Sequence, residues 1–309
     1  MIRYVARSAR RRLALSACAL ACACAGHDTP ARRTDTAIAE PAPVAARAAA
    51  PAPVDTVIPA GPFGDAVRRG HALLAATRDS LPSHVGNSLR CLSCHLDDGR
   101  RARALPLTRA YANYPQYRAR RASVELIEGR INDCFVRSLN GRPLNTDGAD
   151  MRDIISYLSW LGRGVAAQPP DTQLAQESIA ILDAHADTAR GAAVFTASCA
   201  RCHGASGEGT AVAPPLWGPM SFNIGAGMAR YRTSALFVLH NMPFDRPNTL
   251  TLQQALDVAR YIGSRPRPDL AGKENDWPHG DAPDDLPYST RAGRAGASTA
   301  RARAHNGAR

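Results

Sequence analysis

Cys91-Leu92-Ser93-Cys94-His95 and Cys199-Ala200-Arg201-Cys202-His203 decide the fold of this chain. Each is a C-x-x-C-H sequence, the attachment signature of c-type haem. The two thiols stand close enough to bond both vinyl groups of one porphyrin, and the adjacent imidazole becomes the proximal ligand of its iron. Zinc sites and redox dithiols also use C-x-x-C. Zinc would have to pair two knuckles across more than a hundred residues, and a redox dithiol has no need of a following His in both places. The pair therefore implies two covalently bound haem c groups.

The flanks of the second motif read as a small haem domain. Gly191-Ala192-Ala193-Val194-Phe195 opens a helix that ends at Cys199, and Gly204, Gly207 and Gly209 follow as a tight loop. Thr251 and Gln254 form a capping box, Leu252, Ala255, Ala259 and Ile262 share one face, and Pro266 stops the run. The first motif has the same skeleton: Gly70-His71-Ala72-Leu73-Leu74 opens, and Met151, Ile154, Ile155, Leu158 and Leu161 recur at helical spacing. The expected fold is mainly α, two tandem class I cytochrome c-type domains joined by a linker. The expected boundaries are a signal peptide over 1–25, an Ala/Pro-rich linker over 26–60, and a haem domain over 61–166. A linker over 167–186, a second haem domain over 187–266 and a basic, disordered tail over 267–309 complete the chain.

Compartment agrees with the cofactor. Arg3, Arg7 and Arg10 to Arg12 precede the apolar stretch Leu13 to Leu20, and Ala23-Cys24-Ala25 is an A-x-A cleavage site. Export to the periplasm suits haem c, which is attached outside the cytoplasm. Two maturation routes stay open: cleavage near Ala25, or a lipid anchor through Cys22 in the lipobox-like Ala19-Leu20-Ala21-Cys22. The net charge is +11 over 309 residues, but much of it lies in the signal and the tail, so it does not indicate nucleic-acid binding.

Distal ligands distinguish the two halves. In the second, Met220, Met228 and Met242 are candidates for a thioether opposite His203, although most Met residues simply fill cores. In the first, no Met falls between Cys94 and Met151, and that gap contains the eighth cysteine, Cys134. Cys134 is read as an axial thiolate on the first haem, with a buried structural thiol or a dimer disulfide as the alternatives. Arg118, Arg120, Arg121, Arg130 and Arg137 favour the first reading, because cationic neighbours keep a thiolate available.

At this point the chain resembles a known family. Gly86-Asn87-Ser88-Leu89-Arg90, Tyr114-Pro115-Gln116-Tyr117-Arg118-Ala119-Arg120, and Arg130-Ile131-Asn132 with Cys134-Phe135 and Arg137-Ser138-Leu139-Asn140-Gly141 are similar to dihaem thiosulfate dehydrogenases of the tetrathionate-forming type. Pro214-Pro215-Leu216-Trp217-Gly218, Ser221-Phe222-Asn223, Gly225-Ala226-Gly227-Met228 and Asn241-Met242-Pro243 continue the likeness, which runs from about Gly61 to Pro266. The resemblance implies Cys134 as ligand of the catalytic haem, Arg120 and Arg130 lining the substrate pocket, Ser138 as a further pocket residue, and Met228, ahead of Met242, on the second haem. Some members carry Lys before that Met; Gly227 at this position implies that no Lys-to-Met exchange occurs there. The implied reaction joins two thiosulfates into tetrathionate, reversibly in some members, and delivers electrons to a small soluble cytochrome c or similar acceptor. A non-catalytic dihaem carrier and a thiosulfate-conjugating sulfur-oxidation cytochrome are the alternatives.

Overall fold

The computed structural model describes residues 57–167 and 185–296. The signal peptide, Cys22, nearly all of the first linker, the inter-domain linker from 168 to 184 and the final residues 297–309 lie outside the described residues. Among the described residues no helix is long and apolar enough to cross a membrane.

Among the described residues, six helices of more than ten residues carry the fold: α1 (Pro62–Ala75), α2 (Ile127–Arg137), α3 (Ala149–Leu161), α4 (Thr188–Ser198), α5 (Tyr231–Asn241) and α6 (Leu252–Gly263). The only sheet among the described residues is a two-stranded antiparallel ribbon, β1 (Gln116–Arg118) on β2 (Ser123–Glu125), with Tyr117 opposite Val124.

Each half is closed by the same helix crossing. In the first, α1 packs on α3 at Gly70, where a Cβ would lie 2.0 Å from the Asp153 carbonyl oxygen and 2.9 Å from Tyr157. In the second, α4 packs on α6 at Gly191, where a Cβ would lie 2.1 Å from the Asp257 carbonyl oxygen and 2.8 Å from Tyr261. Only glycine permits backbones this close. The residue before each glycine locks the crossing: Arg69 holds Asp153 through Nε at 2.7 Å and Nη2 at 3.0 Å. Arg190 holds Asp257 through the same atoms at 2.7 and 2.9 Å.

Helical periodicity accounts for the closing helices. Met151, Ile154, Leu158 and Leu161 on α3, and Ala255, Ala259 and Ile262 on α6, are buried. The capping box also forms, Thr251 Oγ1 accepting from Gln254 N while Gln254 Oε1 accepts from Thr251 N.

The halves are clasped by buried amides. Asn87 Nδ2 donates to the carbonyls of Ser138 at 2.8 Å and Ser221 at 3.1 Å, and Asn140 Nδ2 donates to Ser221 at 2.6 Å. Asn223 Nδ2 donates to Val136 O at 2.9 Å, and Asn241 Nδ2 to Arg103 O at 2.8 Å. Phe222, Ala226 and Ala229, from the second half of the sequence, complete the first hydrophobic core. Buried polar groups with fixed partners give such an interface a single register.

One expectation is overturned. The segment from 267, read as a disordered basic tail, is folded against both halves through 296. Asp276 accepts from Arg137, Asp285 from Arg230 and Asp284 from Arg232, while Ile224 N donates to Pro268 O. The arginine-rich end drew attention away from the acids just before it, whose partners are remote in sequence. Ordered structure also begins by Val57, whose carbonyl accepts from Trp160 Nε1.

Candidate active site

Helix α2 displays Cys134, the one cysteine among the described residues that lies outside both motifs. Arg130 and Cys134 are four residues apart and so share a face; Arg130 Nη1 donates to Cys134 Sγ at 3.1 Å. This face meets the first C-x-x-C-H. Cys134 lies close enough to act electrostatically on Cys91 and Cys94, and Arg130 on His95. Burial pushes the Cys91 and Cys94 thiols up to about 11 and about 12, and Cys134 adds to the effect. Burial likewise lowers His95 to about 4, which keeps the imidazole neutral and able to ligate.

Both motifs fit haem c. His95 Nδ1 donates to Leu105 O, and His203 Nδ1 to Pro214 O at 2.7 Å, so Nε2 is in each case the nitrogen left for an iron. Cys91, Cys94, Cys199 and Cys202 take part in no disulfide and would carry the thioether links to the two haems. Cys91 packs on the first core and Cys199 within the second, so no tetrahedral site pairs the two motifs.

The arginines divide into committed and uncommitted charges. Arg121 pairs with Asp133 and with Glu125 at 2.8 Å, and Arg137 forms a two-pronged pair with Asp276 at 2.8 Å on each arm. Arg118 reaches Glu125 at 4.0 Å. Arg130 has no carboxylate within ion-pair distance among the described residues; Cys134 is its largest electrostatic influence and raises its pKa. Arg120 sits in the turn between β1 and β2, donates to Gly225 O at 2.7 Å, and comes no nearer than 3.9 Å to Asp276. Burial lowers its pKa to about 10, which still leaves it charged at neutral pH.

Ser138 caps α2. Its amide donates to Cys134 O at 2.8 Å and its carbonyl accepts from Asn87, so the residue ties the cysteine helix to the segment entering Cys91. Tyr114 also belongs here: burial raises its pKa, and Arg118, Arg130 and Cys134 all act on it.

Met242 packs on the core that contains Cys199 and Phe195, Met228 packs on the first core, and both pack on the cluster of Leu96, Ala104 and Phe237. Met220 is 37% exposed. Met242 thus shares a core with Cys199, and both methionines meet at the cluster where Leu96 and Ala104 of the first half face Phe237 of the second. Asp276, Trp277 and Tyr288 were missed altogether. An aromatic beside an acid, Asp276-Trp277-Pro278, was the signal that this stretch is no solvated tail.

The comparisons with known proteins follow the same division. Residues 84–167 match the SoxA/TsdA cytochrome c domain family and residues 188–266 the cytochrome c family. The chain is 41% identical to a thiosulfate dehydrogenase of Psychrobacter arcticus over 76% of its own length and 73% of the relative's. It is 40% identical to one of Allochromatium vinosum, over 70% of its own length and 83% of the relative's. A solved thiosulfate dehydrogenase (TsdBA) of Marichromatium purpuratum superposes with a TM-score of 0.62 at 37% identity, covering 71% of this chain and half, 50%, of that longer one. With two haem c domains and this degree of likeness along most of its length, the chain belongs to the thiosulfate dehydrogenase family of oxidoreductases.

Proposed function

We propose that the protein oxidises thiosulfate to tetrathionate at the first haem domain and exports the electrons through the second. The carrying observation is the contact between Arg130 Nη1 and Cys134 Sγ at 3.1 Å, on the helix face turned to Cys91 and Cys94. Thiosulfate is a small dianion with a soft terminal sulfur. Its oxygens suit guanidinium forks, a role assigned to Arg130, which has no carboxylate within ion-pair distance among the described residues, and to Arg120, whose nearest carboxylate, Asp276, stands 3.9 Å away. Cys134 supplies a soft ligand beside them, and Ser138 closes the end of its helix. Two thiosulfates held with their terminal sulfurs together form one S–S bond and release two electrons, with no proton transferred.

His95 with Cys134 would hold the iron of the first haem, and His203 with Met242 that of the second. When bound, the haem irons accept and pass on those electrons singly, and thiolate against thioether ligation sets the second at the higher potential. Met242 replaces Met228 in this scheme because it packs with Cys199. The residue before it is Asn241, whose amide is committed to Arg103 and Phe237, so no amine is available there either. A periplasmic location, by cleavage near Ala25 or by anchoring at Cys22, rests on the basic and apolar start of the chain. A soluble cytochrome is the proposed acceptor, and the reverse reaction uses the same groups. The test is ferricyanide reduction by thiosulfate with tetrathionate quantified: one tetrathionate per two electrons is expected, and reduction without tetrathionate would favour a carrier or a conjugating enzyme.

A further inference from the structure

Arg120 is held in an unusual way for a pocket arginine. Its guanidinium lies 4.4 Å from the centre of the Trp277 ring, and one amino group donates to Gly225 O at 2.7 Å. The backbone repeats the contact, with Trp277 N donating to Arg120 O at 2.9 Å. Trp277 is 5% exposed and adopts φ +52°, a left-handed conformation that bulky side chains rarely accept. Such a backbone persists only where the surroundings enforce it. They do so here: Asp276, next in chain, is clamped by both arms of Arg137 and by Tyr288 Oη at 2.6 Å.

The carboxylate and the ring serve different arginines. Asp276 gives its oxygens to Arg137 and Tyr288, and Arg120 stays 3.9 Å away. Arg120 therefore receives orientation from an aromatic face and a neutral carbonyl, neither of which cancels its charge. That arrangement suits a group that must meet an anion. Its partners come from the second half and the last described segment, and they are closely packed: a Cβ on Gly225 would lie 2.2 Å from the Leu270 side chain and 2.9 Å from Arg137 Nη1, so these side chains would have to shift.

We propose that Trp277 is a positioning residue for the anion pocket, holding the planar guanidinium of Arg120 edge-on to the substrate's oxygens, so that residues 267–296 form a working wall of the site. The inference rests on the reading of Arg120 as a thiosulfate-binding group. Calorimetric titration of thiosulfate into the ascorbate-reduced holoprotein, where no turnover occurs, tests both. Trp277→Leu, which fills the space without a ring, should weaken binding about tenfold, while Trp277→Phe stays near wild type. In turnover the loss should appear in KM, with kcat at saturation changed less than about twofold. Wild-type affinity in Trp277→Leu, or equal weakening in both variants, overturns the proposal. If Trp277→Leu fails to retain both haems, Arg120→Lys decides: it keeps the charge but cannot stack as a plane, and an unchanged Kd overturns the proposal. Arg120→Ala separates the two layers. Unchanged binding there would remove the pocket reading itself, whereas weakened binding with an indifferent Trp277→Leu would remove only the role of the tryptophan.

Discussion

The two haem domains share a chassis and differ on the side where a distal ligand must come from. Arg69-Gly70 against Asp153 and Tyr157 is matched, contact for contact, by Arg190-Gly191 against Asp257 and Tyr261. Each proximal His fixes Nδ1 on a backbone carbonyl. Opposite the first motif stands a helix with Arg130 and Cys134; within the second core stand Met242, Trp217 and Phe195. The difference separates labour between equal scaffolds. A polar, cationic distal side with a thiol can bind a sulfur oxyanion, whereas an apolar one with a thioether suits electron relay.

Cys134→Gly should break that contrast most severely. Tetrathionate formation should vanish while a haem-staining band and a pyridine haemochrome near two per chain persist. In the wild type, electron paramagnetic resonance should show a low-spin signal of His/thiolate type, which the variant should lose. A variant that keeps its spectrum and activity would return Cys134 to the structural class.

Arg130→Ala and Arg120→Ala come next. Each removes a charge-assisted contact to the substrate, about 1.5–3 kcal/mol, or an order of magnitude or more in kcat/KM. Arg121→Ala is the contrast, because it takes the nearest partner from Asp133 and Glu125, leaving Arg137 at 3.5 Å and Arg118 at 4.0 Å, and should lower the melting temperature while altering KM little. Equal kinetic effects at all three would indicate diffuse steering instead of a defined pocket.

Met242→Gly sharpens the other side of the comparison. The red-region sulfur-to-iron band should disappear and the potential of the second haem should fall, and Met228→Gly should leave both in place. The opposite outcome would restore Met228 as the ligand.

The smallest effects concern the shared chassis. Asp257 accepts from Arg190 twice, Asp187 N and Gln253, whereas Asp153 is held by Arg69. Asp257→Asn should therefore lower the melting temperature more than Asp153→Asn. Burial alone would raise the Asp257 carboxyl, but its donors, Arg190 foremost, hold it below the ordinary carboxylate value. A depressed native pKa stabilises above the unfolded value near 3.9 and is lost as pH falls through the native one, so the difference between the variants should shrink in acid.

C-x-x-C-H determined the cofactor from sequence alone, because attachment is a matter of adjacent residues. Capping at Thr251 and the apolar faces of α3 and α6 were equally legible, since each depends on neighbours within one or two turns. Cys134 announced itself by its absence of a local partner, and Arg130 by sharing its helix face. Met228 and Met242 both sit in plausible loops, and only tertiary packing shows that Met242 joins the second core and Met228 the first, with both on the cluster around Phe237. It alone also showed which carboxylates stand nearest the five arginines, with Asp276 lying 139 positions beyond Arg137. The stretch from 267 to 296 was read as a tail for the same reason: Trp277 meets Arg120 and Asp276 meets Arg137 only when the chain returns to the first half. Pairings so distant leave no periodicity, and composition near the end of the chain points the other way.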